Sequence, residues 1–184
     1  MKNKNILIFI TAMFVNIINA QIEKGNWMVG GSGSYKTSTT FSKITNTDAT
    51  LTFLRLEPTI GYFFVDNFAS GLNTSFYYNP IKDDYNLGYG FGPFIKYYFR
   101  KSDKVINIFA QSSYLYFVDN NQNTLGGRRD FKNNSLSFKA GPVIFFNDSV
   151  ALELAIEYLR TTLNKTLTVT DIGLNIGFQI HLKK

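Results

Sequence analysis

Residues 85–99 change character at every second position without a break. Tyr85, Leu87, Tyr89, Phe91, Pro93, Ile95, Tyr97 and Phe99 form one set, all apolar or aromatic. Asn86, Gly88, Gly90, Gly92, Phe94, Lys96 and Tyr98 form the other. A period of two is the strand repeat, and it places the two sets on opposite faces. Soluble sandwich strands alternate too, but they average about five to six residues. A tilted strand needs about ten residues to cross an apolar band about 25 Å tall, and this run is long enough to do so.

Seven further segments read the same way. Residues 27–35 put Trp27, Val29 and Tyr35 on one face. Residues 51–63 set Leu54, Leu56, Ile60 and Tyr62 against Arg55 and Glu57, and residues 68–78 set Phe68, Leu72, Phe76 and Tyr78 against Asn73 and Ser75. Residues 106–118 group Ile106, Ile108, Tyr114 and Tyr116 against Asn107, Gln111 and Ser113. Residues 136–146 group Leu136, Phe138, Ile144 and Phe146 against Ser137 and Lys139. Residues 150–158 group Val150, Leu152, Leu154, Ile156 and Tyr158 against Glu153 and Glu157. Residues 172–182 group Ile172, Leu174, Ile176, Phe178, Ile180 and Leu182 against Asp171, Asn175, Gln179 and His181. Eight strands is an even number, as a single-chain bacterial transmembrane barrel requires. The fold expected is all-β: an eight-stranded antiparallel up-and-down transmembrane β-barrel.

Connection lengths support this independently. Residues 65–67, 101–104 and 147–149 are tight turns, whereas 36–50, 79–84, 119–130 and 160–166 are longer polar stretches read as loops. Short turns on one rim and long loops on the other is the outer-membrane pattern, with the turns periplasmic. Aromatic residues mark both rims. Tyr62, Phe68, Tyr97, Phe99 and Phe146 lie by the turns, and Phe76, Tyr78, Tyr85, Tyr116 and Tyr158 lie by the loops. Amphipathic rings favour the headgroup level of a bilayer. The charged faces carry Arg55, Glu57, Lys96, Lys139, Glu153 and Glu157. Lipid is a costly place for them, about 2–4 kcal/mol for a midplane Arg or Lys, so they are expected to fill the lumen as a structural charge network.

The first residues read as an export signal. Lys2 and Lys4 make a basic start, residues 6–15 are an uncharged and mostly apolar run, and Ile18-Asn19-Ala20 offers a cleavage site. That run falls short of the ~20 residues a spanning helix needs. Residues 1–20 are therefore expected to be removed, leaving a barrel domain over residues 21–184. Loss of Lys2 and Lys4 takes the formal charge from +6 to +4, as residues 1–20 contain no acid. A mildly basic exported chain without a basic cluster argues against nucleic acid as partner. Charged residues are 17% and aromatics 16% of the chain, an expected balance where apolar and polar positions alternate. There is no cysteine, which excludes disulfides, thiolate metal sites and a lipid-modified cysteine anchor.

One motif recurs on alternate strands: Glu57-Pro58-Thr59-Ile60-Gly61-Tyr62-Phe63, Gly92-Pro93-Phe94-Ile95-Lys96-Tyr97-Tyr98, and Gly141-Pro142-Val143-Ile144-Phe145-Phe146. The last strand echoes it without proline in Gly173-Leu174-Asn175-Ile176-Gly177-Phe178. Proline lacks the ladder N–H, so a bulge or local bend is expected near Pro58, Pro93 and Pro142.

With this repeat, the exported start, Gly25-Asn26-Trp27-Met28-Val29-Gly30-Gly31, and the stretch from Pro58-Thr59-Ile60-Gly61-Tyr62-Phe63-Phe64 through Val65-Asp66-Asn67-Phe68-Ala69-Ser70-Gly71, the chain resembles the small outer-membrane β-barrel family common in Bacteroidetes. These are relatives in architecture of OmpX and the OmpA membrane domain. The resemblance spans the mature chain and implies fold and location rather than an activity. It also implies outer-membrane lipid and lipopolysaccharide as surroundings, contact with the barrel-insertion machinery, and a monomer. Such barrels often end on an aromatic residue, whereas this chain ends His181-Leu182-Lys183-Lys184, and Phe178 is the expected substitute.

Few residues offer chemistry. His181 is the only histidine, so a multi-histidine metal site is excluded, and no Ser-His-acid arrangement accompanies it. It is expected to be a polar rim residue. Glu153 and Glu157 on one strand face stand about 13–14 Å apart from the rise alone, beyond the roughly 5–9.5 Å of glycosidase pairs. Pairing with Arg55, Lys96 or Lys139 is the expectation instead. Gly88, Gly90 and Gly92 lack the helix a phosphate loop needs and are expected to make room for Phe94 or Tyr98. Arg128 and Arg129, with Lys132, are placed in the third long loop, where guanidinium groups suit lipopolysaccharide phosphates. No catalytic residue, metal site or cofactor is expected. The function expected is a non-enzymatic barrel serving envelope integrity or surface interaction through its loops. A narrow channel and a lipid-modifying enzyme are the alternatives.

Overall fold

A computed structural model describes residues 22–42, 47–81, 84–100, 105–122, 128–162 and 168–183. The expected export signal, the turn at 101–104 and the tips of the four long connections lie outside the described residues. The rest forms eight strands: β1 (Trp27–Ser42), β2 (Thr47–Val65), β3 (Phe68–Ile81), β4 (Asp84–Tyr98), β5 (Ile106–Gln122), β6 (Arg128–Phe145), β7 (Val150–Thr162) and β8 (Thr168–Leu182). Each pairs antiparallel with its neighbours in sequence, and β8 pairs with β1, closing the barrel. The up-and-down barrel expected from the alternation is thus the fold.

Every strand except β4 is longer than its apolar alternation. The stretches read as long loops are mostly ladder, running up to Ser42↔Thr47, Ile81↔Asp84, Gln122↔Arg128 and Thr162↔Thr168. Backbone pairing needs only a neighbouring strand, while the apolar face is needed only inside the band. Beyond it both faces turn polar, and the period-two signal disappears although the β-branched content of segments such as Thr37-Ser38-Thr39-Thr40 still favours a strand.

The bulges expected at the prolines are absent. Pro58 sits opposite Gly31 of β1 in an unbroken ladder; towards β3 the pairs stop at Leu56↔Phe76 and resume in the same register at Thr59↔Asn73. Pro93 continues opposite Leu72, while the β5 side resumes from Phe91↔Tyr116 at Phe94↔Ser113. Pro142 continues opposite Ile108, while the β7 side resumes from Ala140↔Ile156 at Val143↔Glu153. Proline withholds its N–H from one neighbour only, so one ladder stays whole and the other opens briefly without losing register. The one register shift among the described residues falls between Phe63 and Val65, beside the turn at Asp66 and Asn67. Asn67 carries the left-handed φ of 67° there, a conformation asparagine tolerates.

Where the ladder opens beside Gly92 and Gly141, the neighbouring backbone moves in. A Cβ on Gly92 would lie 1.8 Å from the carbonyl oxygen of Tyr114, and one on Gly141 would lie 1.9 Å from that of Leu154. Gly90 makes room for the ring of Phe117 on β5, rather than for Phe94 or Tyr98 across the lumen.

The seam between β1 and β8 is short. Residues 27–33 pair with residues 176–182, after which residues 34–42 pair with β2 alone and residues 168–175 with β7 alone. Leu174 and Ile172, on the unzipped part of β8, are 76% and 69% exposed.

Candidate functional site

The strand period decides what reaches the lumen. Outward positions hold the exposed Leu72, Phe91, Ile95, Ile108, Ile156 and Ile176. Inward positions hold buried Glu57, Lys96, Lys139, Glu153 and Glu157, with Arg55 nearly so. The structure sorts these six charges into two clusters.

The first joins Arg55, Glu57, Lys139 and Glu157. Lys139 on β6 is ion-paired and hydrogen-bonded to Glu57 on β2, and Arg55 likewise to Glu157 on β7. Arg55 also stands 3.4 Å from Glu57, and Lys139 stands 3.9 Å from Glu157. Neutral groups complete the shell. Ser32 donates to Glu57 (3.2 Å) and accepts from Lys139 (3.0 Å). Ser137 and Asn175 donate to Glu157 at 2.6 and 2.7 Å.

The second cluster is Lys96 with Glu153. The ammonium group pairs with Glu153 Oε1 and lies 4.3 Å from the centre of the Phe109 ring, a cation–π contact. Tyr98 donates to the same carboxylate at 3.2 Å, and the Gln179 amide donates to its other oxygen at 3.3 Å. Three cations and three carboxylates give the set no formal net charge. Buried charges survive only when paired and hydrogen-bonded, and both clusters meet that condition.

Towards the short turns the lumen becomes aromatic. The imidazole of His181 lies 5.6 Å from the rings of Phe63 and Phe145 and 6.2 Å from Tyr98. It is 1% exposed, and neither ring nitrogen has a hydrogen-bond partner among the described residues. The expected polar rim residue is therefore a buried one. The reason is non-local: residues 22–26 fold across the mouth and bury Ile22 in the same core. The segment is held by Asn67 N–H to the Ile22 carbonyl (2.7 Å), Gly25 N–H to the Phe63 carbonyl (2.9 Å) and Lys24 N–H to Asp66 Oδ1 (2.8 Å).

Outside this end runs a belt of edge-to-face rings, Trp27 on Tyr62 at 5.2 Å, Tyr62 on Phe64 at 5.1 Å and Tyr97 on Phe99 at 5.2 Å. At the other end Phe91 and Tyr116 meet at 6.1 Å. Arg128 and Arg129 belong to the start of β6 rather than to a loop, opposite Gln122 and Asn121, while their side chains lie outside the described residues. Lys132 on the same strand is exposed. Among the described residues no group of three or more His, Cys, Asp or Glu side chains is placed to hold a metal ion.

Sequence reasoning missed the neutral partners Ser32, Tyr98, Asn175 and Gln179. The signal for them was only the inward phase of their strands, which many unremarkable residues share.

No family model matches the chain, and no curated protein does. Solved structures do. The N-terminal β-barrel domain of Pseudomonas aeruginosa OprF matches with a TM-score of 0.57 at 14% identity, covering 86% of this chain and 98% of that one. Neisserial surface protein A matches with a TM-score of 0.58 at 13% identity, covering 88% and 98%. The outer membrane protein OprG from Pseudomonas aeruginosa matches with a TM-score of 0.51 at 12% identity, covering 92% and 100%. At these identities the likeness is one of fold.

Proposed function

We propose that this chain is an integral barrel of a bacterial outer membrane, one of the small Bacteroidetes type, without enzymatic activity and with a lumen closed by its own side chains. Its work is to contribute to envelope integrity and to surface interaction through the end that carries the long hairpins. The observation that carries this reading is the inversion of the fold: a band of large apolar side chains faces out, while Glu57, Lys96, Lys139, Glu153 and Glu157 are buried inside. A soluble monomer rarely exposes a contiguous apolar patch beyond a few hundred Å², whereas hydrocarbon is the natural neighbour of a continuous band. The likeness to the outer membrane protein OprG and the alternation of short turns with long hairpins support the location.

On this reading residues 1–20 direct export and are removed, the barrel-insertion machinery receives the chain, and the product is a monomer in lipid. Arg128 and Arg129, high on the β5–β6 hairpin, are offered to lipopolysaccharide phosphates. Membrane fractionation followed by a gel of heated and unheated samples tests the reading. The expected result is recovery with the outer membrane and a heat-dependent mobility shift; a protein soluble in the periplasm rejects it. Incubation with acyl-labelled lipopolysaccharide tests the absence of activity, and any gain or loss of acyl chains overturns it.

A further inference from the structure

The two ion-pair clusters are separated by a small cavity of about 10 Å³. Lys139 and Ser32 border it from one cluster, and Glu153 and Gln179 border it from the other, with Thr59, Gln111 and Asn175 also in its polar wall. Three buried oxygens on this wall have no hydrogen-bond partner among the described residues: Thr59 Oγ1, Asn175 Oδ1 and Gln179 Oε1. Thr59 is 8%, Asn175 3% and Gln179 2% exposed, so bulk solvent does not serve them.

The two amides are fixed in orientation. Asn175 gives its NH2 to Glu157 and Gln179 gives its NH2 to Glu153. Turning either one over would set a carbonyl oxygen against a carboxylate. Both carbonyl oxygens are therefore committed acceptors, one tied to each cluster, on residues that line one shared space.

We infer that this cavity binds one ordered water molecule, which joins the two ion-pair clusters into a single hydrogen-bonded network. The volume is about the least that holds a water, and the wall offers the two or more polar partners a buried water needs. The two O–H bonds of the water serve the carbonyl oxygens of Asn175 and Gln179, and the Thr59 hydroxyl donates to its oxygen. A cation is the wrong occupant. The six lumen charges already cancel and Lys139 lines the wall, so an added positive charge has no counterion. An anion would meet Glu153 and two carbonyl oxygens. A neutral molecule that both donates and accepts fits both constraints.

The test uses the full barrel refolded in detergent micelles. Water-selective NMR should show cross-peaks from a long-lived water to the side-chain amide protons of Asn175 and Gln179, and Ala155→Leu, which fills the cavity, should remove them. Cross-peaks absent from the unsubstituted protein overturn the inference. A second arm reads stability. If Thr59 Oγ1 has no partner, Thr59→Val removes an unpaired buried hydroxyl and leaves the folding equilibrium constant unchanged or raises it. If the water is bound, the same substitution lowers that constant about three- to tenfold, the size of one net hydrogen bond. An unchanged or raised constant therefore rejects the water, and a lowered one supports it. Because Thr59 Oγ1 has no partner to lose among the described residues, this arm stays decisive even where a bulkier variant fails to fold.

Discussion

Lys139 on β6 meets Glu57 on β2 across the full width of the lumen, because the two strands stand four apart whichever way the closed barrel is counted. The pair is a strut between opposite walls rather than a link between neighbours. Arg55 with Glu157 and Lys96 with Glu153 each join strands three apart.

Breaking a strut on one side should cost far more than removing it. Lys139→Met leaves buried Glu57 with the more distant Arg55 as its counterion and Ser32 as its neutral donor, and the expected loss is about 3–5 kcal/mol, as for other buried charges deprived of a partner. The double variant Lys139→Met with Glu57→Gln should recover much of that. Urea titration in lipid vesicles, read by the gel shift of folded against unfolded barrel, measures both. Equal costs for the single and double variants would reject the strut.

Gly92 and Gly141, beside the prolines, should be intolerant of a side chain in a way that Gly173 is not. Gly92→Ala and Gly141→Ala each drive a Cβ into a backbone carbonyl oxygen that cannot rotate away, so a loss of at least about 1–3 kcal/mol is expected, with failure to fold as the extreme. Gly173→Ala adds a methyl where no atom lies within 4 Å and should be nearly neutral. The same vesicle titration ranks the three.

Charge on the outer face should report membrane depth. Ile156→Arg, on an exposed position between two glutamates that face inward, is expected to cost about 2–4 kcal/mol in vesicles. Lys132→Glu, towards the long-hairpin end, should cost little. Similar values for the two would contradict a lipid-facing band.

The barrel should not conduct. Both ion-pair clusters and the aromatic layer around His181 block the lumen, so planar bilayers should show no steady open steps. Tyr98→Ala together with Phe145→Ala removes two rings of that layer and should introduce a measurable leak. Steady steps from the unsubstituted protein would instead favour a channel.

The sequence made the strands and the facing of their side chains legible, because both follow from a period of two. Arg55, Lys96 and Glu153 could be assigned to the lumen from phase alone. Which cation meets which carboxylate was not legible. That depends on the stagger between strands, a property of the closed sheet that no local pattern encodes, and Lys139 choosing Glu57 is its clearest product. His181 was misplaced for a related reason: its phase pointed inward, but the rings of Phe63, Tyr98 and Phe145 gathered around it, at the end where residues 22–26 also pack, made a rim position a buried one. The prolines misled in the other direction. A missing N–H implied a bulge, yet the loss falls on one ladder and the other keeps the strand in register.

The short seam has a consequence for the order in which the wall can assemble. Seven of the eight ladders are hairpins, whose partners are consecutive in the chain, so each can be set by its own turn. The eighth joins the two ends and cannot form until the others have brought them together, even though the entropy of closing a longer loop grows by only about 0.6 kcal/mol per doubling of its length. That last fastening has seven residue pairs, against sixteen between β1 and β2. The chain therefore commits its circumference early and seals it late with its weakest stitch, and the β1–β8 edge is where heat or mechanical force should part the wall first.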